Sequence, residues 1–185
     1  YRPALPPIEG LGEVRRIGIA ELKGYIDWSY FYWAWRVRED SDEGRLLRDD
    51  AERKLTELAA DSTMHIVTRQ AFYTARGTST SIKTGLVDIP TPRQAAIMPG
   101  GQRRSQCLAL CDYVSPMGGD YIGVFAATVS EAFVRRLEEM KQTGNDDYET
   151  LLLQTIADRL AEAASEMMGA ELARGYTSAR DGRQY

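Results

Sequence analysis

Apolar residues recur along this chain with two periods, and the helical period marks four segments. The segment 19–37 has helical length and is apolar or aromatic nearly all round, so we expect a helix buried on more than one side. Leucines at helical spacing predict a second, amphipathic helix over 43–60. Ser130 fits the N-cap of a helix over 131–142. A long apolar stripe predicts a last helix that begins at Asp146 and Asp147 and runs to about Gly175.

Period-two alternation predicts the strands. It runs over 64–75 and 81–89, which together are typical of a β-hairpin. Further strands are expected over 106–114 and 121–129. The order of helices and strands indicates an α+β fold, in which long helices flank an antiparallel or mixed β-sheet.

The length of 185 residues favours one domain over 1–185, with an irregular lead-in at 1–18 and a tail at 177–185. The chain opens on Tyr1 rather than methionine, so we expect it to be cut from a longer polypeptide or trimmed at its start. Prolines and glycines break 90–102 into a loop, where Arg93 and Gln94 either line a cleft or, more simply, anchor the loop.

Composition narrows the classes of function. The chain has 23 basic and 27 acidic residues and a formal net charge of −4, so no nucleic-acid or membrane partner is expected. It has no signal segment and no apolar run of about 20 residues, which favours a cytoplasmic protein. Its two cysteines, Cys107 and Cys111, lie in an apolar stretch and are interpreted as small core residues rather than metal ligands. The common catalytic motifs are missing from the sequence.

Two acids are the remaining candidates for a binding site. Asp27 lies in a dense aromatic run, where a carboxylate is costly to bury unless it is paired. A cationic ligand would pair with it, but so would a tyrosine hydroxyl or Arg36. Glu162 has the same ambiguity, because an ion pair with Arg159 three residues earlier explains it within one helix.

Three segments, taken together and in order, point to a known family: Tyr25-Ile-Asp-Trp28, Asp120-Tyr-Ile-Gly-Val-Phe-Ala126 and Ala157-Asp-Arg-Leu-Ala-Glu-Ala163. They resemble the activation domain at the C-terminal end of cobalamin-dependent methionine synthase. The resemblance extends over about 5–176, and it places 106–108 and 112–116 in central strands. The family continues into an R-P-A-x-G-Y-P segment that this chain lacks before it ends at Tyr185, so the resemblance implies a shortened or truncated form.

The resemblance implies a function and a site. In the family, the domain binds S-adenosylmethionine for the reductive methylation of cob(II)alamin, and the matching acids are Asp27 and Glu162. It implies a cobalamin-binding module in cis or in trans, which carries the cobalamin, and a flavodoxin-type electron donor. The domain would then be part of a methyltransferase rather than a complete enzyme, with no catalytic residue and no metal ligand of its own. The alternative is a non-catalytic, shortened relative that docks on and caps a corrinoid-binding protein.

Overall fold

The structure, a computed structural model, describes residues 9–93, 107–144 and 146–178. These ranges contain six strands, five α-helices and two short 3-10 helices. The strands are β1 (Gly10–Leu11), β2 (Arg15–Gly18), β3 (His65–Gly77), β4 (Ser81–Thr84), β5 (Asp88–Pro90) and β6 (Asp120–Val129). The helices are α1 (Ile19–Leu22), α2 (Trp28–Trp35), α3 (Asp42–Ala59), α4 (Glu131–Thr143) and α5 (Asp147–Ser178), and the 3-10 turns are Lys23–Tyr25 and Leu110–Tyr113.

The long strand β3 organises the sheet. Strands β1, β2 and β4 each pair with it antiparallel, β5 pairs antiparallel with β4, and β6 also pairs with β3. The register puts Ile17 opposite Ile66, and both side chains are fully buried. An α+β fold with antiparallel pairing is therefore confirmed.

The chain forms two compact units. One contains Tyr1–Glu13 and Gln70–Val124, and the other contains Val14–Arg69 and Phe125–Tyr185. The prediction of a single domain over 1–185 stays a prediction. The second unit has the larger core, which helices and sheet residues share, and five of its fully buried side chains are Ile17, Phe31, Leu58, Phe133 and Leu160.

A buried ion pair ties α3 to α5 in this second unit. The Lys54 side chain is 9% exposed, and its Nζ lies 2.7 Å from Glu149 Oε2 and 2.9 Å from Glu57 Oε2. Burial by itself lowers the pKa of Lys54, but the hydrogen bonds and charges of the two glutamates outweigh it, so the pKa is raised above its ordinary value. The Lys54 ammonium therefore stays charged although it is buried between α3 and α5.

In the first unit, two backbone segments come close together at Gly77, the last residue of β3. A Cβ atom there would lie 2.3 Å from the carbonyl oxygen of Val114 and 2.5 Å from that of Cys111, so only glycine fits. Cys111 is buried in the small core of this unit, as predicted, while Cys107 is half-buried, and both are free thiols.

Most of the predicted elements are confirmed, and their caps explain where they begin. Ser130 is the N-cap of α4, because its Oγ accepts a hydrogen bond from the backbone N–H of Phe133 at 3.3 Å. The amphipathic helix expected over 43–60 is α3, and the long last helix is α5. The predicted second strand of the hairpin, 81–89, divides into β4 and β5, since Thr84 and Val87 form a turn between them.

Three predicted elements are wrong. The strand expected over 106–114, including the match of 112–116 to central strands, contains instead the 3-10 turn, because the Asp112 carboxylate accepts a hydrogen bond from the Ala109 backbone N–H at 2.9 Å and closes a local turn. The second is the irregular lead-in expected at 1–18, because part of it forms β1 and β2. Helix α5 ends at Ser178, close to the predicted start of the tail at 177. Residues 94–106 and 179–185 lie outside the described ranges.

The third wrong element is the single helix expected over 19–37. The backbone leaves the helical conformation at Ile26 and Asp27, both extended, and a new helix, α2, begins at Trp28. The side chain of Asp27 causes this restart by bonding to the backbone two residues ahead. The aromatic run is therefore a short separate helix whose first turn is set by an acid.

Candidate functional site

Asp27 is the N-cap of α2 rather than a residue within a helix. Its Oδ1 accepts a hydrogen bond from the backbone N–H of Ser29 at 2.9 Å and a second, shorter one from the Ser29 hydroxyl. These two bonds come first among the causes that lower the pKa of Asp27, so the carboxylate is ionised. The residue is exposed, so the expectation that it is satisfied by a tyrosine hydroxyl or by Arg36 is wrong.

Glu162 lies on α5 at the border of its buried face. Leu160, Ala163 and Ala164 on either side of it point into the core, whereas Glu162 is half-exposed. Its Oε2 forms an ion pair with Nη1 of Arg159, three residues earlier, which confirms the predicted pair within the helix. That pair holds the carboxylate against the surface of α5.

Arg159 of α5 contacts Glu162 and lies near the first turn of α2, which Asp27 caps. Helix α2 packs against α5, and the guanidinium carbon of Arg159 lies 5.6 Å from the ring centre of Tyr30 in the first turn of α2. The charge of Arg159 also lowers the pKa of Asp27, after the contributions of Ser29. A single cation therefore acts on both carboxylates, and an aromatic ring lies beside it.

The aromatic side chains of α2 divide between core and surface. Phe31 is fully buried and makes an edge contact with Trp28 at 5.2 Å between ring centres. Arg48 of α3 lies 3.5 Å above the Trp28 ring, which fixes that indole from the other side. Tyr30 and Trp33 are 55% and 79% exposed, so α2 offers aromatic surface next to the two acids.

The comparisons with known proteins decide the family. The model of the family described as vitamin B12 dependent methionine synthase, activation domain, matches residues 18–182. The chain belongs to this activation domain family. The fold agrees with that of a solved structure described as the MetH reactivation domain bound to AdoHcy, at a TM-score of 0.80 and 24% identity. The match covers 98% of this chain and 61% of the other chain, so the protein spans less than two thirds of that relative.

Within this activation domain, the sequence-predicted candidates do not all lie together. Asp27 and Glu162 share Arg159, as described above. Arg93 belongs to the other compact unit and anchors its loop, as the simpler interpretation predicted. Its guanidinium holds both carboxylate oxygens of Asp112 at 2.6 Å and donates to the backbone carbonyls of Ser79 and Cys107. Gln94 lies outside the described residues.

The sequence analysis did not identify three residues of this activation domain that contact the candidate site residues or their neighbours. Ser29 donates the hydrogen bonds that Asp27 accepts, Tyr30 lies beside Arg159, and Arg48 covers Trp28. The spacing Asp-x-Ser, in which a side chain bonds two residues ahead, was the signal available for Ser29. Arg48 had no comparable signal, because it comes from a different helix.

Within the described ranges, no three or more His, Cys, Asp or Glu side chains are grouped so as to hold a metal ion. None of the helices in the same ranges has the length and apolar character needed to cross a membrane.

Proposed function

We propose that this activation domain binds S-adenosylmethionine through Asp27 and Glu162 and presents it for the reductive methylation of cob(II)alamin. The observation that carries the proposal is that Arg159, the ion-pair partner of Glu162, lies beside Tyr30 in the first turn of α2, the helix that Asp27 caps. The family match supports it, as does the relative whose structure is described with AdoHcy.

The residues fit the charge of the ligand. S-adenosylmethionine carries an ammonium and a sulfonium cation, and a carboxylate or an aromatic ring attracts either one. A carboxylate offers about four acceptor sites on its two oxygens, and the cap at Asp27 is made by Oδ1. Asp27 can therefore accept a bond from a ligand while it continues to cap α2.

The part of this chain in the reaction is positioning. S-adenosylmethionine supplies a methyl group when it is bound, and the cobalt chemistry belongs to the cobalamin-binding module, in cis or in trans. Asp27 and Glu162 orient the cationic end of the ligand, and Tyr30 covers one side of the site. We propose a flavodoxin-type protein as electron donor and the cytoplasm as the location.

Replacement of Glu162 by glutamine in the complete assembly tests this function. The variant keeps the shape of the side chain but removes its charge, so recovery of methionine synthesis after cobalt oxidation should slow about tenfold to a hundredfold. Primary turnover should not change, because it uses methylfolate. Glu131→Gln on the exposed start of α4 is the matched control, since its nearest cation, Arg135, lies 3.9 Å away.

Two outcomes would contradict the proposal. Unchanged recovery in Glu162→Gln would remove Glu162 from the site. An assembly that does not recover at all with a chemical reductant and S-adenosylmethionine would instead favour the non-catalytic cap on a corrinoid-binding protein. Under that alternative, neither recovery nor turnover depends on Asp27 or Glu162.

A further inference from the structure

The position of Arg159 in the site is unusual for a residue that serves only an ion pair. Its side chain is 19% exposed, and its Nη1 atom is buried. Nη1 lies next to Glu162 Oε2, yet among the described residues it has no hydrogen-bond partner of normal geometry. The carboxylate of Glu162 is therefore the contact that compensates the burial of this charged nitrogen.

The charges around Arg159 are unequal. Its guanidinium forms an ion pair with Glu162 and lies 5.6 Å from the ring centre of Tyr30, three residues after Asp27, so it offsets one of the two candidate acids and leaves the other. The Tyr30 ring adds the negative face of its π-system without a formal charge. Removing the guanidinium would make the same site more negative without altering either acid.

We propose that Arg159 is a specificity-determining residue, which offsets one carboxylate and thereby limits the preference of the site for sulfonium over neutral thioether ligands. This inference rests on the proposed function. S-adenosylmethionine and S-adenosylhomocysteine share the adenosyl, ammonium and carboxylate groups, but only the first has a sulfonium charge. A change in site charge therefore acts differently on the two ligands, whereas a loss of shape acts on both.

Titration of both ligands into this chain by calorimetry tests the proposal. Arg159→Met should raise the ratio of the dissociation constant for S-adenosylhomocysteine to that for S-adenosylmethionine about fivefold, the effect of one neighbouring charge in a partly exposed site. Arg159→Lys keeps the charge and should leave the ratio within about twofold. Because the effect is Coulombic, the increase in Arg159→Met should shrink when salt is raised to about 1 M.

Arg135→Met, on α4, is the matched control and should not change the ratio. Equal loss of both ligands in Arg159→Met would overturn the proposal, because it would mean that Arg159 binds their shared carboxylate or only supports the fold. Arg159→Gln removes the same charge and replaces Arg159→Met in the titration if the methionine variant does not fold. Wild-type protein that binds neither ligand would refute the proposed function as well. A wild type that binds both, with an unchanged ratio in every Arg159 variant, would refute this inference alone.

Discussion

Asp27 caps α2 and, under the proposed function, also binds the ligand, and one pair of substitutions can separate these two roles. Asp27→Asn keeps an oxygen that can accept the bond from Ser29, and asparagine is as good an N-cap as aspartate. It removes the charge, so the affinity for S-adenosylmethionine should fall about tenfold to a hundredfold, the effect of a charged hydrogen bond. Asp27→Ala removes both the charge and the oxygen that caps α2, so it should also lower the melting temperature by about 2–4 °C.

The assay needs both readouts on the same samples. Calorimetric titration gives the affinity, and thermal unfolding followed by circular dichroism gives the melting temperature. Asp42→Asn is the matched control, because Asp42 is an exposed acid in the first turn of α3 and forms an ion pair with Arg45. Asp27→Asn that binds normally but melts as low as Asp27→Ala would refute the reasoning, since the acid would then serve the fold alone.

The pH dependence of Asp27 follows from the same contacts. Its folded pKa is lowered below the ordinary 3.8, so the stability that it contributes is present above 3.8 and is lost as pH falls through the lowered value. Ser29→Ala removes the first cause of that shift, the hydroxyl bond, and should move the pKa of Asp27 upward. Carboxylate NMR titration would check this, and an unchanged pKa would mean that the hydroxyl does not hold the acid.

Two further predictions concern the fold. Gly77→Ala should lower the free energy of unfolding by about 1–3 kcal/mol in urea, because its Cβ would press on the carbonyl oxygens of Val114 and Cys111, and unchanged stability would contradict that close approach. Lys54→Met should cost about 1–2 kcal/mol, since it removes the buried cation between Glu149 and Glu57 and leaves them only their more exposed partners, Arg53 and Arg136, among the described residues. The pKa of Lys54 is raised, so its contribution is present below 10.5 and should be lost as pH rises through the raised value; an alkaline unfolding midpoint identical in the variant would refute this.

The sequence predicted the elements whose signals are local and long. Helix α5 carries a stripe of buried apolar residues over many turns, and α3 has an amphipathic pattern with a serine cap. The strand expected over 106–114 failed for a different reason. Its apolar residues fit a strand, but one polar side chain, Asp112, bonds to Ala109 and to Arg93 and folds the segment into a turn. A strand prediction from hydrophobic periodicity does not take account of the hydrogen bonds that one polar side chain, such as Asp112, can form.

The resemblance to the family predicts Asp27 and Glu162 as site residues, and that assignment stays a prediction. The sequence does not reveal that Arg159, the partner of Glu162, also lies beside Tyr30 of α2. The relation depends on how α2 packs against α5, and that packing follows from the restart of the helix at Trp28. The aromatic run hides this restart, because apolar residues on both sides of Asp27 favour one continuous helix.

Both acids already have partners within the chain, and a ligand that binds them must compete with those partners. Asp27 is held by Ser29 and Glu162 by Arg159, so each has a structural explanation that is complete without a ligand. Such a site does not leave bare charges in a cleft; a cationic ligand must share or replace contacts that already exist. The free energy of those contacts is therefore subtracted from the affinity. A binding acid therefore responds to the charge of the ligand and a structural acid does not, so ligands that differ in charge distinguish the two roles.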